Sequence, residues 1–123
     1  TMSLDLALIG ESRATPCSCV SCGHEHRREE HEVFHTENIT HNLIPMFAAA
    51  GLYKILWHGD HLVAGEQVAA LEAGLRDMER RPDHYRRIES PDGWGRYTNA
   101  VPWLRRVIAA CRAHPEATLR CSR

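Results

Sequence analysis

Residues 11–30 carry no apolar period: the stretch is Ser, Cys, His, Arg and Glu with a scatter of small residues. A segment without an apolar face has nothing to bury, so neither a packed helix nor a half-buried strand is expected there. A structureless run of that length is uncommon inside a compact domain unless it is functional or held by something. The fold must therefore be built from the flanking segments, and they suffice. In a chain of 123 residues, 43% hydrophobic content supports one domain with its own core and excludes a disordered chain. A net charge of -1 argues against a generic nucleic-acid or acidic-membrane binder, which would show a basic excess.

Before the stretch, Leu4-Asp5-Leu6-Ala7-Leu8-Ile9 alternates as a strand with Leu4, Leu6 and Leu8 on one face, ending at Gly10. After it, residues 32–39 are rich in β-branched and aromatic side chains and are expected to pair with that strand. A helix should begin at Asn42, because Pro45 lacks an N–H and fits only among the first helical residues. Leu43, Ile44 and Phe47 give its apolar face up to Gly51, and residues 52–57 form a further apolar run after a break. Residues 66–80 read as the clearest helix, with Val68, Leu71, Leu75 and Met78 on one stripe and Pro82 ending it. A short helical turn over residues 83–88 follows. The last helix repeats the start signal, Asn99 capping with Pro102 three residues on, and runs along Val101, Leu104, Val107, Ile108 and Cys111 to Pro115. Residues 117–121 alternate like a final strand. The expectation is a single α+β domain over residues 1–123. Three main helices pack on a small, mostly antiparallel sheet, with a Cys/His-rich metal-binding loop over residues 11–31.

The strongest chemical signal lies in that loop: Cys17-Ser18-Cys19-Val20-Ser21-Cys22-Gly23-His24. Two thiolates two residues apart can face one tetrahedral zinc, and the glycine relieves the turn. There is no second C-x2-C, so the other ligands must come from Cys17, from His24 or from a distant histidine such as His41. A zinc ion would also supply the constraint the stretch lacks, since structural zinc contributes folding free energy directly. The bland alternative is a set of reduced thiols in a polar loop. A redox motif fits less well, because those normally open a helix after a strand. Five cysteines, three of them crowded together, do not suggest a disulfide scaffold and favour a reducing, cytoplasmic setting. Cys111 falls on an apolar stripe and reads as core. The first five residues lack a basic region and a long apolar run, so no secretory signal is expected, and no run is long enough to span a membrane.

Two further clusters carry candidate binding residues. Asn38-Ile39-Thr40-His41-Asn42 gathers polar side chains at a strand-to-helix junction. Thr40 and Asn42 explain themselves as caps, whereas His41 is surplus to capping and is a candidate ligand or base. Asp92-Gly93-Trp94-Gly95-Arg96-Tyr97 flanks an indole with glycines, which suits either a plug over the core or an aromatic wall for a small ligand. His58 and His61 have metal-like spacing but lie in a turn, where such pairs arise by chance. Glu37, the acid nearest the junction, sits on a strand and could face either way.

Cys19-x2-Cys22-Gly23, Asn38-Ile39-Thr40-His41-Asn42-Leu43, Gly51-Leu52-Tyr53, Leu56-Trp57 and Gly93-Trp94-Gly95-x-Tyr97 together resemble an uncharacterised family of small proteins from actinobacteria and their bacteriophages. The resemblance implies no activity. It groups Cys19, Cys22, Asn38, Thr40, His41, Asn42, Trp94 and Tyr97, while Cys17 and the His-rich stretch over residues 24–35 depart from its pattern. The sequence leads to a small intracellular zinc-binding protein that acts by binding a small molecule or a protein partner, not nucleic acid or a membrane. Zinc would be held by Cys19, Cys22 and His41, with Cys17 and His24 as local alternates, and a ligand by Trp94, Tyr97, Asn38 and Thr40. The alternative is a hydrolytic or lyase-type zinc enzyme using Cys19, Cys22 and His41 with an open position. A third reading is a phage-type inhibitor or nucleotide-sequestering protein.

Overall fold

The computed structural model describes residues 3–10, 32–89, 91, 93 and 95–123. The proposed loop over residues 11–31 lies outside them, with Cys17, Cys19, Cys22 and His24, and so does Trp94.

The first strand, β1 (Ser3–Gly10), buries Leu4, Leu6 and Leu8 and exposes Asp5 between them, as its alternation requires. It is the centre of the sheet. β2 (Glu32–Thr40) and β3 (Thr118–Ser122) flank it in the order β2-β1-β3, both antiparallel. The sheet is thus wholly antiparallel. One irregularity interrupts the β1–β2 ladder: Leu8 faces His35 and Ile9 faces Val33, which leaves Phe34 as the extra residue of a bulge.

Among the described residues five α-helices follow, two long and three short, where three main helices and a short turn over residues 83–88 were expected. Thr40, not Asn42, caps the junction: its Oγ1 accepts the Asn42 N–H at 3.2 Å and starts a single 3-10 turn over His41–Leu43. α1 (Ile44–Ala49) then begins with Pro45 in its first turn, so the steric argument about the proline stands and the cap moves two residues back. Gly51, at φ +77°, breaks the chain before α2 (Tyr53–His58). α3 (Ala64–Arg80) starts two residues earlier than expected, where the Ala64 and Gly65 amides bond the carbonyls of Ala117 and Pro115. Pro82 ends it and opens α4 (Pro82–Arg86).

The last helix, α5 (Tyr97–Ala113), does not use Asn99 as its cap, and Pro102 lies inside it. Glu89 accounts for the difference. Its Oε1 accepts the Tyr97 N–H at 2.7 Å, so a carboxylate from the preceding segment satisfies a free donor at the positive end of the helix. Pro102 then removes the bond to the Thr98 carbonyl, and both residues are exposed, where solvent can serve that carbonyl.

The helices cover one face of the sheet. Phe47 lies at the centre of the core, with its ring 5.8 Å from that of Trp57 and 5.6 Å from that of Trp103. Gly74 lets α3 come close to Leu52, since a Cβ there would stand 2.6 Å from Leu52 Cδ1. On the other face Asp5, Thr36, Asn38, Arg120 and Ser122 are open among the described residues. No helix among the described residues is long and apolar enough to cross a membrane.

Candidate functional site

The strand-to-helix junction after β2 carries the most chemistry among the described residues. The chain turns sharply there because Thr40 closes the 3-10 turn, which sets the half-buried His41 beside α2. Trp57, itself buried, donates its Nε1–H to His41 Nδ1 at 2.9 Å. An indole N–H can only donate, so Nδ1 must present its lone pair, and in the neutral ring the hydrogen sits on Nε2. A histidine bound to a metal shows the opposite arrangement: one nitrogen ligates and the other donates its N–H to an acceptor. As folded, His41 has one lone pair, and Trp57 occupies it. In this arrangement His41 offers no free lone pair to a metal, and ligation with Cys19 and Cys22 would require the Trp57 bond to break.

Gly95 packs directly on this junction. Gly95, at φ +85°, lies so near that a Cβ would stand 3.2 Å from the Asn42 carbonyl carbon, from Asn42 Cβ and from Leu43 Cγ. The sequence offers two separate polar clusters; the fold makes them neighbours. Tyr97, Thr40 and Asn38, the expected ligand-binding residues that are described, make hydrogen bonds within the fold. Tyr97 gives its hydroxyl to the Met78 carbonyl at 2.9 Å and takes the Arg86 guanidinium over its ring at 5.3 Å. It ties α5 to α3 instead of offering an aromatic wall. Thr40 is spent on its cap. Asn38 points to the open face of the sheet, where Nδ2 reaches Asp5 Oδ1 at 2.6 Å, the Leu4 carbonyl at 3.3 Å and Ser3 Oγ at 3.2 Å.

Glu37 faces the helices. It accepts from His35 Nε2 at 2.7 Å and from Arg106 Nε at 3.2 Å, which gives β2 a polar rim under α5. His58 has both ring nitrogens occupied, Nδ1 by Arg123 at 2.8 Å and Nε2 by the Tyr53 hydroxyl at 3.0 Å. In this arrangement neither nitrogen is free for a metal. No group of three or more His, Cys, Asp or Glu side chains able to hold a metal occurs among the described residues.

The cysteines divide by burial. Cys111 and Cys121 are free thiols within the core. Burial holds the Cys111 thiol up at about 11, and it raises Cys121 as well. Both stay protonated near neutrality, which suits packing and opposes ligation or nucleophilic attack.

Sequence reasoning missed a cleft of about 920 Å³ where the end of α5 meets β3 and the turn after α2. Phe34, Asp60, His61, His114, Glu116 and Arg120 contribute to its walls. Phe34 stacks on His114 with ring centroids 4.6 Å apart. His61 is the one described residue other than glycine at positive φ, +71°, held by its N–H to the Leu119 carbonyl at 2.9 Å. Its walls come from four separate segments, so no local motif could signal it. Compared with protein-family models, with curated proteins and with solved structures, the chain matches none.

Proposed function

We propose that this is a small cytoplasmic zinc-binding protein that acts by binding a partner, with the metal held by a local set: Cys17, Cys19, Cys22 and His24. The supporting observation is the bond from Trp57 to His41 Nδ1, which takes His41 out of the ligand set. Burial removes Cys111 and Cys121 in the same way. Of the ligands the sequence suggests, Cys17, Cys19, Cys22 and His24 are left, spaced C-x-C-x2-C-x-H, and three thiolates with one imidazole would complete a tetrahedral zinc. A full set of four protein ligands leaves no position for water or substrate, which favours binding over hydrolysis. Zinc bound there would neutralise thiolate charge and fix the spacing of the set. The motif resemblance to small actinobacterial and phage proteins is in keeping with a chain of this size but adds no activity.

Metal analysis of the purified, reduced protein tests the reading. The expected result is near one equivalent of zinc, lost in Cys19→Ser and Cys22→Ser and retained in His41→Gln, with circular dichroism reporting the fold of each. Less than about a tenth of an equivalent after reconstitution overturns zinc binding. Loss of zinc in a folded His41→Gln variant overturns the local set and restores the open, three-ligand site.

A further inference from the structure

The two edges of the sheet are treated differently. The outer edge of β3 is occupied: Cys121 N–H donates to Asp60 Oδ1 at 2.8 Å, Leu119 N–H to the Leu62 carbonyl at 2.9 Å, and His61 N–H to the Leu119 carbonyl at 2.9 Å. Val63 also bridges to Thr118. The outer edge of β2 has no such cover among the described residues, although it runs for nine residues, with Val33 54% and Phe34 37% exposed. An uncovered edge of that length is a template for another strand.

Backbone alternation fixes which β2 residues face outward. Leu119 and Cys121 direct their backbone groups away from β1, so their partners Leu8 and Leu6 direct theirs at β2, where they meet His35 and Glu37. Thr36 and Asn38 are therefore the residues whose N–H and C=O point to the open edge. We infer that this edge pairs with β2 of a second copy of the chain, antiparallel about a two-fold axis at Thr36, to make one continuous six-stranded sheet.

Charge selects both the occupant and the register. Centred on Thr36, the two Thr36 residues exchange both backbone hydrogen bonds, and His35 of each copy, which already bonds Glu37 of its own strand at 2.7 Å, also stands opposite Glu37 of the other. That is a non-hydrogen-bonded pair, in which side chains approach most closely, on the helix-covered face. Arg106, already on Glu37, holds a guanidinium beside each acid. Centring on Glu37 would oppose two carboxylates, and centring on His35 two imidazoles. A strand that complements itself in this way fits a closed, isologous dimer. The inference is independent of the zinc reading.

Sedimentation and light scattering of the full chain at about 100 μM test it, since dimerisation is concentration-dependent. The expected result is a species of twice the monomer mass. Thr36→Pro, which removes the central outward N–H at a position where an edge strand tolerates proline, should give a folded monomer. His35→Glu should weaken the dimer at least about tenfold by opposing like charges. The swap His35→Glu with Glu37→His should restore it, which supports the register even where Thr36→Pro fails to fold. A monomeric wild-type chain, open-ended assembly, or a dimer indifferent to both His35→Glu and Thr36→Pro overturns the inference.

Discussion

The bond between Trp57 and His41 is the observation behind the proposed ligand set, so its energetics are worth testing directly. Trp57→Phe removes the Nε1–H, leaves the half-buried His41 Nδ1 without its donor, and opens a small void beside Phe47 and Tyr53. The lost hydrogen bond is worth about 1 kcal/mol net, and the trimmed ring adds roughly 1–2 kcal/mol of packing. The sum, about 2.5 kcal/mol, is a large share of a typical 5–15 kcal/mol stability. With an unfolding entropy of about 2.1 cal/mol/K per residue over 123 residues, it should lower Tm by about 10 °C. His41→Ala strands the indole N–H of a side chain that is 1% exposed, at a cost of roughly 1–3 kcal/mol. The two changes remove the same bond, so the double variant should lose less than the sum of the singles, by about 1 kcal/mol. Urea denaturation of the four proteins gives that coupling. Additive losses within about 0.3 kcal/mol would show that the indole and the imidazole do not interact, and the case against His41 as a ligand would fall with them.

Gly95→Ala should cost more than Gly51→Ala. Both glycines are at positive φ, but a Cβ at Gly51 meets open space, whereas at Gly95 it presses on Asn42 and Leu43. Thermal melts should show a loss of roughly 1–2 kcal/mol at Gly51 and clearly more at Gly95; equal losses would mean that the two motifs do not touch. A second expectation concerns pH. Hydrogen bonds from Arg81 and then Tyr85 hold the Asp77 carboxyl below its ordinary 3.8, so its contribution is present above that value and lost as pH falls through the lowered one. Burial, and then the same bond to Asp77, pushes the Tyr85 phenol up to about 12, so that contribution is present below the ordinary 10 and lost as pH rises toward 12. The gap in urea midpoint between wild type and Asp77→Asn should be widest between those limits and shrink in acid; a gap that widens in acid refutes the assignment.

Much of the fold was legible because local chemistry and global packing ask for the same residues. Leu4, Leu6 and Leu8 alternate as a strand and are buried as one, and Leu71, Leu104 and Val107 fall on helical stripes and close the core. The misreadings share a cause. Asn42 and Asn99 have the chemistry of caps, and proline stands three residues beyond each. Capping, however, is decided by which acceptor reaches the free amides: at one end that is Thr40, the neighbouring cap residue two positions earlier, and at the other tertiary structure supplies Glu89. Glu89 is ten residues before Asn99, across a segment of turn residues, a distance over which no local pattern reports.

The candidate site was less legible, for a related reason. In the sequence His41 is surplus to capping, and ligation is one use for such a histidine. The sequence could not show that Trp57, sixteen residues on, would bring a donor-only nitrogen to its ring. That single contact changes what the histidine can do, because an imidazole whose one lone pair is taken offers its surroundings a hydrogen and no electron pair. The same reasoning applies to Tyr97, whose hydroxyl is spent on the Met78 carbonyl, and to His58, held between Tyr53 and Arg123. Polar residues clustered in sequence were thus drawn into holding the fold. The crowded cysteines belong to a different class, since thiolates at C-x-C-x2-C spacing have few structural uses apart from a soft metal. Engagement of His41 and His58 therefore favours the proposed local set, and if zinc is bound there, the His41→Gln and Trp57→Phe variants should both retain it.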